Sequence, residues 1–157
     1  MSENLFISTL SNNIHSIPNI IGVNNHMGSL LTKQIVQMEW LMDYLYLRNI
    51  FYVDSLTSSN TVTREVANKQ NVPYLKQDIF LNNNRDAKYI DGQFKLLVSV
   101  AKRKGAAIAI GHPHPEKIKV LTTNLQKLDE YGVKLISLKE MIEDHHQNIN
   151  SNLSLLK

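Results

Sequence analysis

Apolar residues recur along the chain with two periods, and segments of the two kinds alternate. Short apolar runs of the length of buried parallel strands lie at residues 20–23, 50–53, 73–75, 106–111 and 134–136. Segments with helical spacing lie at 2–16, 32–48, 62–70, 86–104 and 115–131, and a short last helix follows. The alternation predicts an α/β protein made of β/α repeats, with a parallel sheet covered by helices.

Local signals at the helix ends agree with this division. Ser2 is a favourable N-cap for the first helix. Gly105 is suited to end the helix before the fourth apolar run, and Pro115 suits the first turn of the next helix because its missing N–H is not needed there. Ser137, with Glu140 three residues later, forms a capping box that starts the last helix.

Two helices in the second half of the chain each carry an apolar face that we expect to be buried. The face of the helix over 86–104 consists of Ile90, Phe94, Leu97 and Ala101. The face of the helix over 115–131 consists of Ile118, Leu121, Leu125 and Leu128. These stripes predict that both helices pack against the sheet.

Ionisable residues follow four of the predicted strands. The first run leads into a polar segment that contains His26, and the second ends at Asp54. The third continues to Asp78, and the fourth ends at His112. Because ligands bind beyond the carboxyl ends of parallel strands, we predict that these side chains meet at one rim and form a shared site.

Length and composition limit the class of protein. With 157 residues, the chain is long enough for one domain with a sizeable core, which we place at 1–146, followed by a disordered tail at 147–157 that is rich in Asn and Ser. The absence of cysteine excludes disulfides and thiolate metal sites. No apolar run is long enough to span a membrane, and the given N-terminus lacks the basic and apolar regions that are typical of a signal peptide.

The net charge of +3 does not indicate a nucleic-acid partner. The one basic cluster, over 102–104, falls in the last turn of a predicted helix, where cations suit the helix dipole. We therefore expect no nucleic-acid binding. His145 and His146 lie at the end of the last helix, where we expect them to compensate the dipole in solvent rather than to bind metal.

Four motifs in a fixed order give a more specific signal. They are Gly22-Val23-Asn24-Asn25-His26-Met27-Gly28-Ser29, Phe51-Tyr52-Val53-Asp54-Ser55, Asp78-Ile79-Phe80-Leu81 and Ala107-Ile108-Ala109-Ile110-Gly111-His112-Pro113. Together they resemble the divergent polysaccharide deacetylase family over about residues 1–143. The resemblance implies a distorted (β/α) barrel, a divalent metal, Zn²⁺, that supports removal of acetyl groups from amino sugars, and a periplasmic or exported location.

The sequence also departs from this family. Family members carry an upstream strand that ends in paired aspartates, which by analogy supply a metal ligand and a catalytic base, whereas this sequence starts with a helix. The family usually has Arg, Arg and Asp where this chain has Leu56, Gln77 and Asn82. We therefore expect an incomplete barrel whose open edge, at residues 20–23, favours self-association.

The resemblance and the chemistry of the side chains assign expected roles. His26 is the expected metal ligand, because imidazole binds Zn²⁺ well, and His112 is the expected general acid. Asp78 is expected to orient a histidine or to replace the missing base. The remaining candidates would bind substrate, namely Asn24, Asn25, Ser29, Asp54 and His114. Two alternatives stay open: both aspartates could cap turns or helices, and His114 could be an ordinary loop residue.

Two functions of different classes follow. The first is metal-dependent hydrolysis of N-acetyl groups on carbohydrate. The second is an inactive remnant, or a sugar-binding module, with the same fold. A phosphoesterase is disfavoured because no basic or glycine-rich phosphate cradle stands at these strand ends. We expect the chain as given to bind Zn²⁺ weakly and to have little or no deacetylase activity.

Overall fold

The computed structural model describes residues 1–81 and 83–144. The expectations for Asn82, for His145 and His146 and for the tail at 147–157 therefore lie outside the described residues. The chain divides into two compact units, Met1–Lys76 and Gln77–Lys157. No helix in the described part of the chain is long and apolar enough to cross a bilayer.

The first unit contains a parallel three-stranded sheet and its helices. Its elements are α1 (Glu3–His15), β1 (Gly22–Asn24), a 3-10 turn (Leu31–Lys33), α2 (Ile35–Tyr46), β2 (Phe51–Asp54), α3 (Thr63–Lys69) and β3 (Tyr74–Lys76). The strands lie in the order β1-β2-β3, with Val23 beside Tyr52 and Tyr52 beside Tyr74. Because all three run in one direction, their carboxyl ends share one edge of the sheet.

The core of the first unit forms around α2. Met38, Met42 and Leu45 recur at helical spacing, and none of the three has exposed surface. They belong to one apolar cluster with residues of β2 and α3. On α1, Phe6 packs against Trp40 with ring centroids 5.8 Å apart. The helix predicted over 32–48 is thus present, with its first turn replaced by the 3-10 turn.

The second unit contains a parallel two-stranded sheet. Its elements are β4 (Ile79–Phe80), α4 (Ala87–Lys104), β5 (Ala109–Ile110) and α5 (Pro115–Leu125), and residues 138–144 are also helical. Ile79 lies beside Ala109 in the ladder. Ile90 and Phe94 are buried on α4, as its periodicity predicts.

The predicted helix ends are confirmed by their hydrogen bonds. The Ser2 hydroxyl accepts from the Leu5 N–H at 3.5 Å, and the Ser137 hydroxyl accepts from the Glu140 N–H at 3.0 Å. Gly105 follows α4 with a φ of 89°, a left-handed conformation that favours glycine.

Two sequence predictions in the second unit are wrong. Residues 133–137 belong to neither a helix nor a strand, and Leu135 is 73% exposed, so the strand predicted at 134–136 does not form. The second is the helix predicted over 115–131 with Ile118 on its buried face. In the structure α5 ends at Leu125, and Ile118 is 52% exposed.

A partly buried polar bridge between α4 and α5 helps to set the face that α5 buries. The Asn124 amide donates to the Asp91 carboxylate at 3.0 Å, and its carbonyl oxygen accepts from the Tyr131 hydroxyl at 3.1 Å. Asn124 and Lys117 are the buried residues of α5. The bridge brings Asn124 inward beside Leu121, which packs against the apolar cluster as predicted, while Ile118 and Leu125 of the predicted face stay exposed.

Candidate functional site

The loops that follow β1 and β2 are joined by asparagine side chains. The buried Asn25 accepts the Ser55 N–H at 2.8 Å through its side-chain oxygen, and its amide group donates to the Thr57 hydroxyl at 3.5 Å. The Asn24 amide donates to the Ser55 hydroxyl at 3.3 Å. The carboxyl ends of these neighbouring strands therefore form one connected rim, as expected of parallel strands.

The loop after β1 is folded tightly onto Asn25. A Cβ atom at Gly28 would stand 3.0 Å from the Asn25 Cβ, which is shorter than an ordinary van der Waals contact, so a larger residue would require Asn25 to shift. Met27 adopts a φ of 50°, and both the backbone N–H and the hydroxyl of Thr32 donate to the Gly28 carbonyl at 2.9 Å. These contacts give His26 a fixed backbone, which is what a binding side chain needs.

The side chains of this loop are turned outward. His26 is exposed, Met27 is 82% exposed, and Asn24 and Ser29 are also on the surface. We call residues 24–30 the β1 rim. Three of the predicted binding residues therefore lie together on an accessible loop, while Asn25 lies beneath it.

Asp54, at the end of β2, is fully buried at 0% exposure. One carboxylate oxygen accepts the Leu56 N–H at 2.8 Å. The other accepts the hydroxyls of Thr61 and Tyr74, each at 3.3 Å. The contacts match the turn-capping alternative left open by the sequence, and no surface of Asp54 is available to a ligand. Leu56 has a φ of 46°, and this left-handed strain is held by the same carboxylate.

Burial and the charge of Asp54 raise the pKa values of two neighbouring tyrosines. Burial raises the pKa of Tyr74 well above its usual range, and the Asp54 charge and hydrogen bond raise it further. Burial likewise raises the pKa of Tyr52, with a smaller contribution from Asp54. Both phenols therefore stay protonated at neutral pH, and Tyr74 remains a donor to the carboxylate.

Threonines complete this buried network, and the sequence interpretation missed them. The Thr61 hydroxyl lies 2.6 Å from that of Thr63, and the Thr32 carbonyl, 3.2 Å away, is an alternative acceptor to Asp54 for its one hydrogen. Thr32 and Thr63 are almost fully buried. The available signal was two threonines in a polar loop before a helix, which does not reveal a distant acceptor such as Asp54.

Asp78 follows β3 by two residues, as the sequence predicts, and it also directly precedes β4, a strand that the sequence pattern did not indicate. Its N–H donates to the Ile108 carbonyl at 2.8 Å. Its carboxylate accepts the Ile108 N–H at 3.0 Å and forms an ion pair with Lys104 at 2.6 Å. Asp78 thus joins the amino ends of β4 and β5, a contact that fixes the strand pair.

His112 follows β5 at the carboxyl end of the same pair. Its ring lies 5.7 Å from Phe80 and 6.0 Å from His114, measured between centroids, and the His114 N–H donates to the His112 carbonyl. Asp78 and His112 therefore lie at opposite ends of the β4–β5 pair, and the structure does not bring them together. The predicted shared site therefore fails for the pair Asp78 and His112, and the part of it that draws on both units stays a prediction.

The expected zinc can be tested against the side chains present. Catalytic zinc is usually held by three protein ligands. Among residues 1–81 and 83–144, no group of three or more His, Asp or Glu residues is placed to hold a metal ion. Asp54 and Asp78, the acidic candidates, are already engaged in hydrogen bonds. The described residues do not fit a zinc centre of this kind by themselves.

Comparison with known proteins gives the family. A profile of the divergent polysaccharide deacetylase family matches residues 1–142. The chain belongs to that family. The resemblance carried by the four sequence motifs is therefore confirmed.

Relatives within this deacetylase family extend beyond the matched region. The chain is 36% identical to the uncharacterized protein YibQ of Escherichia coli over 69% of its own length and 34% of that protein. It is 38% identical to an uncharacterized protein of Haemophilus influenzae over 75% of its own length and 42% of that protein. The chain thus spans about a third to two fifths of these curated relatives.

A solved structure establishes the fold. The crystal structure of an uncharacterized protein from Agrobacterium tumefaciens matches 90% of this chain and 57% of that one, with a TM-score of 0.87 at 19% identity. Together with the parallel pairing in both sheets, the match confirms the predicted fold class, an α/β protein of β/α repeats.

Proposed function

We propose that this protein binds N-acetylated carbohydrate at the β1 rim, and that the chain of 157 residues performs little or no deacetylation by itself. The observation that carries the proposal is the contrast between His26, exposed on a fixed loop, and the two candidate aspartates, which are held in structural hydrogen bonds. A site with accessible polar groups and no accessible carboxylate is better suited to binding than to hydrolysis.

The side chains of the β1 rim suit a sugar. The Asn24 amide and the Ser29 hydroxyl can each donate and accept hydrogen bonds, as sugar hydroxyls and acetamido groups require. His26 adds an imidazole, and the exposed thioether of Met27 offers apolar contact to the ring face of a sugar. Because Asn25 fixes the loop beneath them, little conformational entropy is lost on binding.

The second candidate function is deacetylation itself, which family membership favours. Amide hydrolysis needs an activated water, a group that polarises the carbonyl and an acid for the leaving nitrogen. His26 would supply one ligand to a divalent metal and His112 the acid. The other ligands would have to come from outside the described residues, and the relatives are long enough to provide them.

Calorimetric titration of the 157-residue chain with oligosaccharides of N-acetylglucosamine, without added metal, tests the proposal. We expect saturable binding that weakens about tenfold in His26→Ala, the equivalent of about one hydrogen bond. His15→Ala is the matched control, since His15 is an exposed histidine at the end of α1, outside the rim, and it should bind like the parent. Absence of binding, or equal losses in both variants, would overturn the proposal.

A further inference from the structure

The hydrogen bonds of Asn25 fix which way round its side-chain amide lies. The Ser55 N–H can only donate, so the Asn25 atom that it meets at 2.8 Å must be the side-chain oxygen. The amide nitrogen therefore faces the Thr57 hydroxyl at 3.5 Å and donates to its oxygen. Because Thr57 is the acceptor in this bond, its hydroxyl hydrogen remains available to another acceptor.

The side-chain amide of Asn24 is fixed by a similar constraint. Its nitrogen lies 3.4 Å from the Asn25 carbonyl, which can only accept, and 3.3 Å from the Ser55 hydroxyl. These two bonds use both of its hydrogens. The side-chain oxygen of Asn24 accepts no hydrogen bond within the described residues, so Asn24 presents an acceptor to a ligand.

The acceptor of Asn24 and the donor of Thr57 are both accessible. Both residues are exposed, whereas Ser55, which also has a hydroxyl hydrogen, is only 4% exposed. Asn24 is the last residue of β1, Thr57 follows β2, and the two strands are neighbours in the sheet. Since each residue is hydrogen-bonded to Asn25, an exposed acceptor and an exposed donor flank one buried asparagine.

This pair of groups matches the hydrogen-bonding capacity of an acetamido group. An acetamido group has one donor, its N–H, and one acceptor, its carbonyl oxygen, on opposite sides of the amide bond. The Asn24 oxygen suits the first and the Thr57 hydroxyl suits the second. A free amino sugar is protonated at neutral pH, and its ammonium group has donors but no acceptor. Such a sugar can use Asn24 but not Thr57.

We propose that Thr57 is a specificity-determining residue, whose hydroxyl donates to the carbonyl of an acetamido group while the Asn24 oxygen accepts the N–H of that group. This inference rests on the proposed function and extends the site from the β1 rim to the loop after β2. The pair selects the N-acetylated sugar over the amino sugar, because a donor placed for a ligand acceptor is left without its partner when the ligand lacks that acceptor.

Calorimetric titration of the 157-residue chain with two ligands tests this role. The ligands are oligosaccharides of N-acetylglucosamine and glucosamine oligosaccharides of the same length. We expect the parent to prefer the acetylated ligand by about tenfold or more, the equivalent of about one hydrogen bond. Thr57→Val keeps the shape of the side chain without its hydroxyl, and it should weaken the acetylated ligand about tenfold and leave the other unchanged. Thr57→Ser should restore the preference.

A matched control and the second ligand separate specificity from a general loss of structure. Thr123→Val removes the hydroxyl of an exposed threonine on α5, in the second unit, and it should bind both ligands like the parent. Thr57→Val also leaves the Asn25 amide without one acceptor, but a loosened loop would weaken both ligands alike.

The outcomes distinguish this inference from the proposed function. Equal losses for the two ligands in Thr57→Val, or an unchanged preference, would overturn the role of Thr57. If the acetylated ligand still binds in a manner that depends on His26, the proposed function stands and only the role of Thr57 fails. Absence of binding in the parent overturns both.

Discussion

The carboxyl end of β2 and the amino end of β4 each hold a largely buried aspartate, and the two carboxylates are satisfied by different donors. Asp54 accepts a backbone N–H and two hydroxyls, all neutral. Asp78 accepts a backbone N–H and the ammonium group of Lys104. Both stand where the sequence suggests chemistry, and both instead hold the backbone of neighbouring segments together.

The difference between the two aspartates predicts different costs when each is removed. The neutral donors to Asp54 come from partly buried residues around a fully buried carboxylate, and the Leu56 N–H and the Tyr74 hydroxyl would be left without an acceptor. The ammonium group of Lys104 is about half exposed and can return to water. Comparing substitutions at the two positions therefore separates a buried polar network from a partly solvated ion pair.

The largest effect is expected for Asp54→Ala. The change leaves the Leu56 N–H and the Tyr74 hydroxyl without their acceptor, whereas Thr61 keeps the Thr32 carbonyl, and it should lower the free energy of unfolding by about 3 kcal/mol. Urea denaturation measures it. Asp54→Asn keeps the volume and one acceptor and should cost less; a loss below about 1 kcal/mol in Asp54→Ala would contradict the network.

A smaller effect is expected at the amino end of β4. Asp78→Ala removes the acceptor of the Ile108 N–H and should cost about 1–2 kcal/mol, whereas Lys104→Ala should cost about 0.5 kcal/mol because surface ion pairs are weak. Raising the salt concentration should reduce the second loss. Equal losses for both variants would show that the ion pair, rather than the backbone contact, dominates.

The smallest effect is expected for Asp91, which extends the comparison to a carboxylate that is more exposed than Asp54 and Asp78. Hydrogen bonds from Lys95 and then Asn124 lower the pKa of Asp91. A lowered folded pKa stabilises the fold above the unfolded pKa, near 4, and this contribution is lost as the pH falls through the folded pKa. Asp91→Asn should therefore cost less than about 0.5 kcal/mol at pH 7, and the loss should vanish near pH 2 in urea titrations.

Much of the fold follows from local pattern, because helix periodicity and capping are short-range properties. The helix predicted over 86–104 begins one residue later, at Ala87, with Asp86 as its cap. The position of Asp78 could not be predicted the same way. Asp78 does follow the strand predicted at 73–75, but the pairing of Ile79 with Ala109, distant in sequence, adds a second strand directly after it, so Asp78 also stands at the amino end of a strand.

The candidate site was predictable only in part. The segment around His26 was identified by its position after a strand, and the structure places it on an exposed loop. The role of Asn25 as a bridge to Ser55 depends on a contact between loops thirty residues apart, which no local pattern reveals. The inward face of α5 is a similar case, since Asn124 is buried by its partners on α4 and after α5.

Release of acetate from oligosaccharides of N-acetylglucosamine, by the 157-residue chain with excess Zn²⁺, tests most directly the claim that its aspartates hold the fold rather than perform chemistry. We predict no release above a protein-free control, for the parent and for His26→Ala alike. Zinc-dependent release by the parent that disappears in His26→Ala and survives in His15→Ala would contradict the account and establish deacetylation as the function.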